Sequence, residues 1–168
     1  MEAGLPIGEF TCSITFERVR PPHPVARDEG GVTYVVQGDY ELAFRTVLRF
    51  ANGAELPIRG KLFGENSQKV VVRDEKGKPA ALSGYTQGRS AILDVDGSVI
   101  FEGRYYDTRT YQALTGDDAL TPTGVGICDH WINGFGRGNY AGHAFSLGVH
   151  LTREHDAAFR GEARGRID

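Results

Sequence analysis

The chain has 168 residues and a formal net charge of −3, which suits a single domain (1–168) that buries its own core. The mixed charge provides neither a basic field for nucleic acid nor an acidic tail, and no apolar run reaches the roughly 18 residues of a membrane helix. The opening MEAGLPIGEF lacks the basic and apolar regions of a secretory signal. Expected, then, are a cytoplasmic location, no nucleic-acid or membrane partner, and Cys12 and Cys128 as free thiols. The 23 glycines follow no triplet period and punctuate short apolar runs, the pattern of an all-β chain.

In chain order, residues 9–19 alternate Phe10, Cys12, Ile14 and Phe16 with polar neighbours and predict a strand that stops at the prolines of 20–24. A long polar loop is expected over 20–31, then a short strand over 32–37. Tyr40, Leu42, Phe44, Thr46, Leu48 and Phe50 mark one face of a half-buried strand, and Asn52-Gly53 turns it into the strand of 55–63. Residues 68–73 and 80–85 flank a turn at 74–78. Residues 90–95 and 98–107 flank Asp96-Gly97, which as a two-residue hairpin loop pairs Ile92 with Phe101, Ser90 with Gly103 and Gly88 with Tyr105. The other face then pairs Leu93 with Ile100, Ala91 with Glu102 and Arg89 with Arg104. Residues 108–123 carry no strand pattern and form a second long loop. Extended chain resumes over 124–133, the glycines of 134–139 turn it, and a strand from 141 places Ala141, His143, Phe145, Leu147, Val149 and Leu151 on one face. Residues 158–167 close the chain with Phe159, Gly161, Ala163, Gly165 and Ile167 opposite four charged side chains.

This pattern predicts a single antiparallel closed or nearly closed β-barrel of about 8–10 strands, since closure removes exposed sheet edges. The stretches FEGRYYDT (101–108) and GFGRGNYAG (134–142), with Asp96-Gly97 ahead of Gly103-Arg104-Tyr105, resemble the allene oxide cyclase/dirigent-type barrel superfamily over about the last 85 residues. The chain departs from that pattern at 106–123 and at ICDHWIN (127–133). The resemblance implies a barrel and cyclisation or stereocontrol on an apolar substrate, and it assigns no catalytic residue.

His143 shares parity with the apolar face, so an imidazole in the lumen is expected, available as acid or base. Tyr105 and Asp107 share parity with Phe101, which places both inward, Asp107 near the mouth to orient a histidine and Tyr105 to hold a ligand oxygen. Glu102 and Arg104 fall on the outer face as a solvated pair. Parity divides 128–133 into Cys128, His130 and Ile132 against Asp129, Trp131 and Asn133 and leaves the inward set open. A Cys128–His130 nucleophile pair is one reading, and Trp131 as a pocket wall beside a proton-supplying Asp129 or His130 is another.

The five histidines form no metal motif, Gly134–Gly138 precedes no helix and forms no phosphate loop, and no metal or cofactor is expected. Phe10, Phe16, Tyr40, Phe44, Phe101, Tyr105, Phe145 and Phe159 line the inner face. Inner Gly88, Gly103, Ala141, Gly161 and Ala163 argue for a cavity, with 108–123 (Tyr111, Leu114, Leu120) as its lid. The functional expectation is a cyclase, isomerase or dehydrating lyase acting on an apolar polyene- or polyketide-like intermediate. His143, Tyr105, Asp107 and His130 would carry the chemistry, and Trp131, Phe145, Phe101, Tyr40, Phe44 and Cys128 would bind the substrate. The alternatives are a carrier of a hydrophobic ligand and a filled structural barrel. A homodimer or homotrimer is compatible with any of the three.

Overall fold

Alternation of apolar and polar residues dictates strands throughout, and the computed structural model consists of them. It describes residues 5–20, 23–38, 40–112, 114, 124–154 and 157–168. The strands are β1 (Gly8–Thr15), β2 (Glu17–Arg20), β3 (Val25–Glu29), β4 (Val32–Gln37), β5 (Glu41–Phe50), β6 (Glu55–Arg73), β7 (Pro79–Leu93), β8 (Val99–Gln112), β9 (Val125–Gly136), β10 (Ala144–Arg153) and β11 (Arg160–Ile167). A 3₁₀ turn at Gly138–Tyr140 is the one helical element among the described residues. Among the described residues, no helix is long and apolar enough to cross a membrane.

Every pairing is antiparallel. β1, β11, β10, β9, β8, β7, β6 and β5 follow one another, and β5 pairs again with β1, so eight strands close a barrel. β2 adds to β5 below β1, while β4 and β3 add outside the second half of β6. Two expected loops are therefore partly sheet. The 20–31 segment contains β3, paired with β4, and the 108–123 segment begins with the last five residues of β8. Cross-strand hydrogen bonding overrides their weak apolar patterns. The rest of the expected lid, residue 113 and 115–123 including Leu120, lies outside the described residues, as does the turn position Asp39.

The β7–β8 register matches the expected pairs Ile92/Phe101, Ser90/Gly103, Gly88/Tyr105, Ala91/Glu102 and Arg89/Arg104. The turn itself is longer than two residues. Asp94 N–H donates to the Ser98 carbonyl and Gly97 N–H to the Asp94 carbonyl, with Gly97 at φ +87°. Leu93 consequently faces Val99 rather than Ile100, and a bulge at Ile92/Leu93 absorbs the extra residue.

The space that inner glycines were expected to leave as a cavity is taken by side chains and backbone of neighbouring strands. Aromatic rings lie on glycines of neighbouring strands, and a Cβ on Gly60 would come within 2.1 Å of the Phe44 ring. The same relation holds for Gly64 with Tyr40, Gly88 with Tyr105, Gly126 with Phe159 and Gly165 with Phe10. Phe44/Gly60, Tyr105/Gly88 and Phe10/Gly165 are direct cross-strand partners. Gly103 and Gly161 are small because neighbouring backbone carbonyls approach them, to 1.9 and 2.0 Å of a Cβ position, and Ala141 is exposed on the turn before β10.

Gly60→Ala is expected to destabilise the fold by roughly 1–3 kcal/mol through this overlap. Combining it with Phe44→Leu should cost less than the sum of the two single changes, as read from denaturant unfolding.

Candidate functional site

Inward side chains of the barrel form rows that follow the strand register. One row reads Ser67 (β6), Thr86 (β7), Asp107 (β8), His130 (β9) and then the apolar Val149 and Ala163. The next reads Lys69, Gly84, Arg109, Cys128 and Leu151. Ser67, Lys69, Thr86, Asp107, Arg109 and His130 are all buried, so half of the barrel wall carries a polar patch inside an otherwise aromatic interior.

Asp107 is the hub. Arg109 donates from Nε to Oδ1 and from Nη2 to Oδ2, both at 3.0 Å, and His130 Nδ1 lies 3.1 Å from Oδ2. Burial by itself would raise the Asp107 pKa, but the Arg109 charge and the His130 hydrogen bond hold it down at about 2. An ionised carboxylate only accepts, so His130 Nδ1 carries the proton and Nε2 the lone pair. That Nε2 is buried and has no hydrogen-bond partner. Burial lowers the His130 pKa, outweighing the carboxylate. Its ring stacks on Tyr105 at 5.2 Å and meets the Phe16 edge at 5.0 Å.

Two hydroxyl pairs lie alongside. The Tyr105 and Tyr40 hydroxyls are 2.7 Å apart, while Thr86 donates to Ser67 Oγ at 3.0 Å and Lys69 Nζ donates to the same oxygen at 2.8 Å. The patch lies towards the end of the barrel where Phe159 is stacked between the Arg109 and Arg153 guanidinium groups, at 5.5 and 5.4 Å.

The candidate residues separate into three groups. Tyr105, Asp107, His130, Cys128 and Tyr40 come together here, and the inward set of 128–133 is Cys128, His130 and Ile132. Asp107 is not near a mouth. β8 continues five residues beyond it, and it is fully buried. Cys128 is no nucleophile: burial pushes its thiol up to about 12, whereas attack requires thiolate. Phe44 packs edge-on to Phe16 beside the patch.

Phe101 and Phe145 instead plug the opposite end with Tyr140 and Phe10, at ring distances of 4.9–5.6 Å. His143 is at that end too. β10 begins one residue after it, and its Nδ1 lies 2.7 Å from the Asp168 carbonyl oxygen. It is level with Phe101, six residues along β8 from Asp107, or about 20 Å at strand rise. Trp131 is on the outer surface, 44% exposed, beside Tyr106 and over Gly148, and walls no interior pocket. Glu102 and Arg104 are exposed, each paired elsewhere, with Arg137 and Glu65.

Sequence reasoning missed Arg109, Lys69, Ser67 and Thr86. Arg109 was legible as the next same-parity residue after Asp107. Lys69 was not, because a bulge between Gly64 and Asn66 switches the inward parity of β6 from even to odd residues.

Oxygen, sulfur and nitrogen atoms of Asp107, Cys128 and His130 lie within 4.8 Å of one another. Arg109 already occupies both carboxylate oxygens, so the carboxylate of this donor set serves a guanidinium cation rather than a metal ion. No protein-family model, curated protein or solved structure matches the chain, so the site is interpreted from its own chemistry.

Two stability predictions arise from these charges. Asp107→Asn leaves Arg109 buried without a counter-charge and is expected to cost about 3–5 kcal/mol in denaturant unfolding. In the wild type, stability due to Asp107 is present above the ordinary carboxylate pKa and is lost as pH falls through about 2. Lys69 works in the opposite direction. Burial and the Arg109 charge lower its pKa to about 7, so an unfolded chain binds a proton that the native state releases between about 7 and the ordinary 10.4. Lys69→Met should therefore stabilise the protein at pH 7, by up to about 5 kcal/mol, with the gain shrinking as pH rises towards 10.

Proposed function

We propose that the barrel is a proton-transfer enzyme in which His130 acts as base on a largely apolar small molecule, driving isomerisation, cyclisation or loss of water. The observation that carries this reading is the His130 Nε2 lone pair, buried among rings and unpartnered, while Asp107 fixes the tautomer from the other side. A buried polar atom left unpaired costs the fold about 1–3 kcal/mol, and a catalytic base is a reason to retain that cost. The Asp107 carboxylate also stabilises the imidazolium formed when Nε2 takes a proton. Tyr105 and Tyr40 present a hydroxyl pair to hold a developing oxyanion.

Access leads past Phe16, which stands against the imidazole at the break between β1 and β2 and is 7% exposed. A substrate displaces that ring. The ring-on-glycine packing favours a second reading, in which the interior is purely architectural and the polar patch fixes strand register.

One measurement separates the two. 5-Nitrobenzisoxazole is an apolar probe whose ring opens when a base removes a single proton. The wild type is expected to accelerate this opening, with His130→Gln lowering the rate by about 100-fold or more, the usual worth of a positioned base. The rate should fall on acidification as His130 protonates, below the ordinary histidine range. Phe16→Ala should raise kcat/KM by opening the path. Equal rates for wild type and a folded His130→Gln protein would establish the architectural reading.

A further inference from the structure

We propose that Lys69 captures the carbonyl carbon of an aldehyde or ketone as an iminium ion, so that the interior base acts on a covalently held substrate. This deepens the reading above and rests on it for the proton-moving group.

The chain has four lysines. Lys61, Lys76 and Lys78 are exposed, and Lys69 is 4% exposed inside the barrel. The usual reason to bury a lysine is an ion pair, and Lys69 makes none among the described residues. The Asp107 carboxylate is held by Arg109 and His130, and the lysine's hydrogen bond goes to the neutral Ser67 hydroxyl. An ammonium has three protons to donate, so the charged form is poorly served here and the free amine is favoured.

The groups around it act in the same direction. Arg109 on β8 adds a repelling positive charge, Asp107 on β8 and the Cys128 thiol on β9 oppose it more weakly, and the β4 neighbour Val35 is apolar and buried. The balance is a pKa of about 7, which leaves a large fraction of free amine at neutral pH. Desolvation beside a second cation is a recognised way of activating a lysine nucleophile.

The step conserves atoms and electrons. The Nζ lone pair attacks the carbonyl carbon, and the C–O π electrons move to oxygen. The resulting carbinolamine loses that oxygen as water, consuming one proton overall and leaving a cationic C=N bond in place of the lysine ammonium. Nothing is oxidised or reduced. The iminium acidifies the adjacent carbon, from which His130 Nε2 can take a proton. Return of that proton at another carbon shifts a double bond, and loss of a β-hydroxyl releases water. Hydrolysis of the iminium regenerates the amine. The Ser67 and Thr86 hydroxyls next to Nζ are hydrogen-bonded to each other and can pass the protons of carbinolamine dehydration.

The test uses the full chain, trans-cinnamaldehyde and sodium cyanoborohydride at pH 7, with intact mass and peptide mapping. The expected result is an adduct on Lys69 besides that of the α-amino group, whose ordinary pKa of about 8 also leaves free amine at pH 7, each with a mass gain equal to the aldehyde less one oxygen atom. An ordinary lysine at pH 7 has about a thousandth as much free amine. The initial rate at Lys69 should therefore exceed that at Lys61, Lys76 and Lys78 by up to about a thousandfold, with the advantage collapsing towards pH 10. Lys69→Met should remove the Lys69 adduct with an unchanged circular dichroism spectrum. Because mapping of the wild type locates the adduct, the outcome does not depend on that variant folding. Adducts confined to the α-amino group, Lys61, Lys76 and Lys78 would overturn the proposal. A wild type that opens 5-nitrobenzisoxazole through His130 yet gives no Lys69 adduct overturns the iminium and leaves the base in place. A wild type that does neither overturns both.

Discussion

A carboxylate with no exposure to water stays ionised only where its neighbours replace the solvation it has lost. Asp107 meets that condition through a guanidinium fork from its own strand and an imidazole from the next. Much of the interior follows from it. Arg109, two residues on, also points inward and is buried, its guanidinium over the Phe159 ring. His130 is held in one tautomer, which leaves its second nitrogen without a partner. Aromatic rings packed against the patch exclude water and so strengthen each of these interactions.

The surrounding packing follows a second rule, one aromatic ring against one cross-strand glycine. Glycine lets a ring lie flat on the neighbouring backbone, which fills a narrow eight-strand barrel and allows its strands to coil. On the proposed reading, a substrate reaches the base by displacing a ring, with Phe16 standing against the imidazole. The surface groove of about 380 Å³ lined by Gly103, Asn133, Gly134, Phe135, Ser146 and Asp168 is on the outer wall, far along β8 from the buried base. Lys69 and the unpaired His130 nitrogen both reduce stability, and destabilising groups retained in a core are characteristic of sites shaped for activity.

Parity within a strand made part of the site legible. Tyr105 and Asp107 follow Phe101 at steps of two, and the same rule divided Cys128, His130 and Ile132 from Asp129, Trp131 and Asn133. It failed where alternation continued past the end of a strand. His143 keeps the parity of Phe145, but the chain there is already the turn, tied to the Asp168 carbonyl. The choice between the two faces of β9 was beyond local pattern, since each face carries a histidine or tryptophan beside a polar residue. The register against Asp107 and Val149 settles it.

The sequence by itself determined an all-β chain, most of its strands, the inner register of the β7–β8 hairpin and the expectation of closure, because alternation and turn chemistry are local properties. Only the tertiary structure decided that inner glycines seat rings, since glycine reads the same whether it leaves a void or seats a ring from another strand. It also decided that Lys69 faces inward, because one bulge reverses the parity of everything after it. And it brought Asp107 to His130, 23 residues apart in the chain, because register between strands is fixed by the packing of the whole barrel.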